Sequence, residues 1–100
     1  FITAVIKIVE ENICEADFSV KKLAAEMNMS QPTLYRKVKQ STDYTIIELI
    51  RGVRMRRAGV LLKTKQYAVQ EVAEMVGYND IPTFRKHFVD AFGTTPSTYE

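Results

Sequence analysis

The stretch "FSVKKLAAEMNMSQPTLYRK" at 18–37 recurs as "YAVQEVAEMVGYNDIPTFRK" at 67–86. The offset is 49 residues up to Ser30 and Asn79 and 50 thereafter, because the second copy holds one extra residue before its proline. Val20, Leu23, Ala24 and Met27 map onto Val69, Val72, Ala73 and Val76. Pro32, Thr33, Leu34 and Arg36 then map onto Pro82, Thr83, Phe84 and Lys86. Each copy reads as a helix, a tight turn and a second helix. The apolar residues fall at helical spacing, Asn28 or Gly77 supplies a left-handed turn, and Ser30 or Asp80 caps the next helix. A proline then occupies the first turn, where a missing N–H costs little.

Outward from the repeat, Ile2, Val5, Ile6, Val9 and Ile13 sit at helical spacing and predict an amphipathic first helix. Cys14 is expected at its end as a small, partly buried residue. Asp17 and Ser19 offer caps for the second helix, and the third should run to about Lys39 with Leu34 and Val38 inward. A longer pattern from Thr45 to Lys63 carries Ile46, Ile47, Ile50, Val53, Ala58, Leu61 and Leu62, and should form a helix ~28 Å long at 1.5 Å per residue. Gly52 and Gly59 inside it each cost about 1 kcal/mol relative to alanine, which close packing against a neighbouring helix would explain. In the second copy Phe84, Phe88, Ala91 and Phe92 are expected inward, Gly93 closes the helix, and Thr95–Pro96 starts a last short one. The expected fold is all-α, about seven helices, with a first helix-turn-helix subdomain at 1–43, a linker helix at 44–64 and a second subdomain at 65–100.

A hundred residues at 46% apolar content suit one compact domain or two very small subdomains. Net charge is only +2, but residues 36–65 hold nine Lys/Arg against two Asp/Glu, whereas residues 1–30 and 66–100 are each net acidic. Basic charge gathered in the middle third fits a polyanion footprint. A single cysteine excludes an internal disulfide framework and a zinc constellation. No run approaches the ~20 apolar residues of a membrane span, and Phe1 to Val9, interrupted by Lys7, does not read as a signal peptide. Neither a Ser/His/Asp arrangement nor a phosphate loop is present, so no enzyme activity, metal or cofactor is expected, and His87 lacks partners for catalysis. The chain starts and stops inside patterned sequence, as a domain excised from a longer parent would.

A helix-turn-helix reads DNA by laying its second helix in the major groove, early residues against base edges. Two such units in one short chain suggest a monomer touching two successive turns of one duplex, and the linker helix length is close to the ~34 Å of one turn. In the first unit Gln31 can bond adenine and Arg36 guanine, while Thr33, Tyr35, Lys37 and Lys39 suit phosphates. Ser30, Thr83 and Arg85 join the phosphate set. In the second unit the outward residues are Asp80, Ile81, Thr83, Arg85, Lys86 and His87. Ile81 and Pro82 can offer apolar contact to a thymine methyl, and Lys86 can reach guanine or phosphate. Of Arg51, Arg54, Arg56 and Arg57, which cannot all point one way on a helix, one or two should brace the structure. A different class remains: a helical protein–protein module docking a receiver, a polymerase or a partner copy, to which the acidic ends of the chain lend support.

At "LAAEMNMSQPTLYRKVK" (23–39), "IRGVRMRRAGVLL" (50–62) and "VAEMVGYNDIPTFRKHFVDAFGTTPSTY" (72–99) the chain resembles the DNA-binding domain of the AraC/XylS family of bacterial transcription regulators. The resemblance implies two helix-turn-helix subdomains joined by a long helix, with both reading helices entering adjacent major-groove segments of double-stranded DNA. It places base contacts at Gln31, Pro32, Tyr35 and Arg36 in the first unit and at Ile81, Pro82 and Lys86 in the second. Val38 stands where the family usually has phenylalanine, Ile46 where a proline commonly opens the linker helix, and Lys86 where arginine is usual, so a point-charge contact is expected there. The phrasing "FSVKKLAAEMNMS" followed by "LYRKVK" also resembles the C-terminal output domain of Bacteroides-type hybrid two-component sensor-regulators. That resemblance implies a cytoplasmic domain making no membrane contact, a parent anchored in the inner membrane, control by an upstream receiver, and RNA polymerase as a further partner.

Overall fold

Side-chain caps start the helices where the sequence puts Ser, Thr and Asp. In the computed structural model, which describes residues 1–99, Ser19, Ser30, Thr45 and Asp80 each accept a hydrogen bond from the backbone N–H three residues on, at 3.3, 3.3, 3.1 and 3.1 Å. Each such cap contributes about 1 kcal/mol. The helices are α1 (Ile2–Glu11), α2 (Val20–Glu26), α3 (Gln31–Thr42), α4 (Ile46–Lys63), α5 (Val69–Met75), α6 (Ile81–Phe92) and α7 (Pro96–Tyr99). The expected all-α fold is thus found, with no strand among the described residues. Thr45 fixes the start of α4 without a proline: its N–H donates to Glu48 Oε1 at 2.8 Å, completing a capping box, and Ile46 turns fully inward. Ala68, at the position of Ser19, has no acceptor, so only the reverse half forms there, from its N–H to Glu71 Oε1.

The repeat extends past the helix-turn-helix units. Asp43 and Gly93 end α3 and α6 in the same left-handed conformation, and Thr45–Ile46 and Thr95–Pro96 then open α4 and α7 with a buried second residue. Helix α3 runs to Thr42, nearly a turn beyond the expected Lys39, because Lys39 Nζ donates to the Asp43 carbonyl and Thr42 Oγ1 to that of Val38, both at 2.8 Å.

Two apolar clusters form the core. Val5, Val9, Phe18, Leu23, Ala24, Leu34, Val38 and Ile46 make the first. Met55, Ala58, Leu62, Val72, Ala73, Val76, Phe84 and Phe88 make the second. Burying each of the larger side chains contributes about 1.5–3 kcal/mol. Helix α4 feeds both clusters and packs against α1, α3, α5, α6 and α7, which makes it the spine of a body measuring 39 × 23 × 22 Å. Among the described residues no helix is long and apolar enough to cross a membrane.

Five expectations are corrected. Helix α1 ends at Glu11, so Cys14 lies in the following turn and is exposed. Ile13, beyond the helix, packs on the second cluster instead of the first. Ile47 is 53% exposed and Ala91 is exposed, because the inward stripes of α4 and α6 run through Ile46 and Ile50, and through Phe84 and Phe88. The two linker glycines also differ. A Cβ at Gly59 would lie 3.0 Å from Phe92 Cζ and 3.3 Å from Tyr99 Oη, as close packing requires, whereas one at Gly52 would meet nothing within 4 Å. Gly52→Ala should therefore stabilise the domain by about 1 kcal/mol, and Gly59→Ala by clearly less. Thermal melts of the two variants check the ranking; equal gains would show that Gly59 is as open as Gly52.

Candidate nucleic-acid interface

Each helix-turn-helix turn is closed by the same two backbone bonds. In the first unit Asn28 N–H donates to Ala25 and Met29 N–H to Ala24, both at 3.1 Å; in the second Gly77 N–H donates to Glu74 at 3.1 Å and Tyr78 N–H to Ala73 at 2.8 Å. This is the Schellman arrangement, with Asn28 at φ 57° and Gly77 at φ 88° as its left-handed residues. Asparagine tolerates that conformation, but Gly77 has a second reason to lack a side chain. A Cβ there would lie 2.4 Å from the Ile13 carbonyl oxygen and 3.0 Å from Arg54 Cζ.

Arg54 is the arginine that braces the structure. Its guanidinium donates to the Gly77 carbonyl at 3.2 Å and to the Glu15 carbonyl at 3.0 Å, joining the α1–α2 loop to the turn before α6 through α4. Its Nε is buried without a partner, and burial pulls the guanidinium pKa down, the Tyr78 hydroxyl opposing. The two reading units therefore meet at one side chain.

Within α3, Leu34 and Val38 are buried, so the i, i+4 geometry turns Pro32, Arg36 and Lys39 to the opposite face, with the 39%-exposed Tyr35 beside them; Gln31, three residues before Leu34, is exposed in the first turn on the side of the buried stripe. In α6, Phe84 and Phe88 are buried and Pro82 and Lys86 occupy the corresponding outward face, flanked by exposed Arg85. Ser30, Thr33, Thr83 and Lys37 sit beside this face with other partners. Ser30 Oγ donates to Thr33 Oγ1 at 2.8 Å, Thr83 Oγ1 donates to the Asp80 carboxylate, and Lys37 Nζ lies 5.6 Å from the Phe1 ring centre. Ile81 is half-buried against the second cluster. Among the described residues the one ion pair is Lys22–Asp17 at 3.0 Å, which leaves the cations of both reading helices without carboxylate partners. Among the same residues no three His, Cys, Asp or Glu side chains gather as metal ligands would.

His87, expected outward, turns in. Its Nδ1 lies 2.6 Å from Tyr78 Oη, and the rings meet edge to face. Burial, then the positive charge of Arg51, holds its pKa below the ordinary 6.5, Asp90 opposing and Lys86 assisting. Burial likewise raises the Tyr78 hydroxyl, against the pull of Arg54 and Arg51. The sequence signal for this pair was the aromatic directly after Gly77. A folded pKa below the unfolded one means that the unfolded chain binds the proton more readily. The contribution of neutral His87 is then complete above the unfolded value and lost as pH falls through the depressed folded one. Denaturation midpoints should fall as pH drops below the ordinary histidine value of about 6.5, with a shallower fall in His87→Gln. Identical slopes in the two proteins would assign the acid sensitivity to other groups.

A family model described as a helix-turn-helix domain matches residues 23–100. A histidine kinase of Formosa agariphila, "Histidine kinase P4", contains a segment 35% identical over 94 residues, 94% of this chain and 7% of that protein. The C-terminal domain of AraT, a response regulator from Geobacillus stearothermophilus, superposes with a TM-score of 0.90 at 28% identity, covering 97% of this chain and 80% of that one. The DNA-binding domain of AdpA, described as a global transcriptional factor in complex with a target DNA, superposes with a TM-score of 0.88 at 31% identity, covering 97% and 86%. The chain spans only 29 to 35% of the length of other curated relatives, all regulatory proteins.

Proposed function

The chain belongs to the AraC-type helix-turn-helix family of transcription regulators, and from that premise we propose that it binds double-stranded DNA sequence-specifically, with α3 and α6 in adjacent major-groove segments. One observation carries the reading. The same capped, Schellman-closed unit occurs twice, and each copy presents an unpaired cation, Arg36 or Lys86, at the same position opposite its buried stripe.

In this reading Arg36 and Gln31 address base edges, with Pro32 and Tyr35 in apolar contact alongside them. Lys86 is a point charge near guanine or phosphate, and Pro82 with the exposed part of Ile81 lies against thymine methyls. Lys39, Lys37 and Arg85 meet phosphates. Ser30, Thr33 and Thr83, engaged in their caps, reach phosphates through hydroxyl oxygens that also set the first turn of each reading helix. The kinase and response-regulator relatives support a role as the output domain of a two-component protein, with receiver or sensor domains and RNA polymerase as protein partners.

Selection from a randomised duplex pool at physiological salt tests the proposal. One asymmetric site should be enriched, with two informative blocks about 10 bp apart, and affinity should fall steeply as salt rises because phosphate neutralisation releases counterions. Absence of enrichment, or affinity indifferent to salt, would overturn it.

A further inference from the structure

A groove of about 590 Å³ runs along the exposed side of α4, between that helix and the C-terminal ends of α6 and α7. Its floor is Met55 and Gly59, its far wall Phe92 and Tyr99, and its near edge the 60%-exposed Val60. The charged side chains lining it are Arg56 and Lys63; no carboxylate among the described residues lines it or pairs with either. Lys63 Nζ rests 4.6 Å from the Tyr99 ring centre, which holds that cation at the groove's end. Gly52 lies at the other end, where two further hollows begin whose linings include Glu10, Glu48 and Asp90.

Gly52 has no internal reason to be glycine. Its φ is not left-handed and a Cβ would meet nothing within 4 Å, yet a glycine in mid-helix costs about 1 kcal/mol. What a bare backbone at an open surface permits is close approach by another element. Gly52, Arg56, Val60 and Lys63, all exposed, fall at i, i+4, i+8 and i+11, one face of α4 about 16 Å long at 1.5 Å per residue. None of its residues belongs to the proposed DNA contacts, which lie at the opposite end of α6.

We propose that this groove docks an acidic amphipathic helix of a partner protein, about three turns long, its apolar stripe over Gly52, Val60 and the exposed part of Phe92 and its carboxylates against Arg56 and Lys63. An apolar groove whose own charged lining is Arg56 and Lys63 selects both features of such a helix between those two residues, where a basic helix would bring like charges together. The surface does not depend on the DNA reading, and the domain would hold both partners at once.

Display selection of randomised peptides about 16 residues long on the intact 100-residue chain tests this. Enriched peptides should carry apolar residues at i, i+3 or i+4, and i+7 with an excess of Asp and Glu. A labelled copy of the best one should bind Gly52→Gln and Arg56→Glu about tenfold more weakly. Gly52→Gln should melt no lower than the parent and bind a random duplex of about 24 bp within about twofold of it. If Gly52→Gln does melt lower, Val60→Ser replaces it with the same expected loss. Enriched peptides that are basic or lack the helical pattern, or that bind the variants as well as the parent, would overturn the proposal. So would duplex affinity falling in parallel with peptide affinity, since the groove would then serve DNA.

Discussion

Gly77→Ala should destabilise the domain by about 3–5 kcal/mol, a large share of the 5–15 kcal/mol typical of a whole domain. Two costs combine. An L-residue at φ 88° is strained by about 1–2 kcal/mol. In addition the new methyl would stand 2.4 Å from the Ile13 carbonyl oxygen, so the α1–α2 loop or the turn must move. Movement of either breaks the charge-assisted bond through which Arg54 holds that segment, contributing about 1.5–3 kcal/mol. Asn28→Ala, at the matching turn and φ 57°, carries only the conformational cost. Urea denaturation followed by circular dichroism should rank the two variants with a gap of at least about 2 kcal/mol. Equal effects would mean that the Ile13–Arg54–Gly77 closure adds nothing.

That closure also marks where reading the sequence stopped. The turn at Gly77 was legible because glycine between two apolar stripes has a short list of uses. The reason that asparagine serves at 28 and not at 77 was not, since it depends on a carbonyl 64 residues earlier in the chain. Caps behaved similarly. Ser30 and Asp80 are recognisable by their spacing from the following stripe, whereas the start of α4 looked uncertain because Ile46 lacks the ring of a proline. The neighbouring Thr45 and Glu48 form the capping box that settles it.

Periodicity identifies an apolar face but not what covers it. Ala91 and Ile47 extend their helices' stripes by one position and still face solvent, because no element lies over them. Gly52 and Gly59 look alike seven residues apart on one helix, yet only Gly59 has α6 and α7 packed against it. In the candidate interface the outward cations were readable for the same geometric reason, since Arg36 and Lys86 are two residues past a buried Leu34 or Phe84. The side chain misjudged there is His87, which has a close local partner. It turns to Tyr78, and a hydrogen bond of that kind leaves no mark on hydrophobic spacing.

Arg36→Ala should reduce discrimination at specific base pairs by about 10- to 100-fold, corresponding to the 1–3 kcal/mol of a bidentate guanine contact. Random duplex should lose far less, because the change removes one charge without altering the rest of the basic field. Lys39→Ala should do the opposite, weakening all sequences alike and lowering the salt slope by about one unit or less. Less than one is expected because Lys39 Nζ already donates to the Asp43 carbonyl at 2.8 Å, so a phosphate must compete for it. Lys86→Ala should cost less specific affinity than Arg36→Ala. An ammonium holds one acceptor where a guanidinium holds two in fixed geometry, and α6 carries Asp90 within it and Asp80 at its N-cap, near the reading end, whereas the one acid of α3 is Asp43 at its far C-cap. Titrations of the three variants at one fixed salt, against the selected site and a scrambled one, separate these roles. Should Lys86→Ala prove the costlier change, the second unit is the principal reader. Should Arg36→Ala weaken both duplexes equally, Arg36 is a phosphate contact and the bases are read by its neighbours Gln31 and Tyr35.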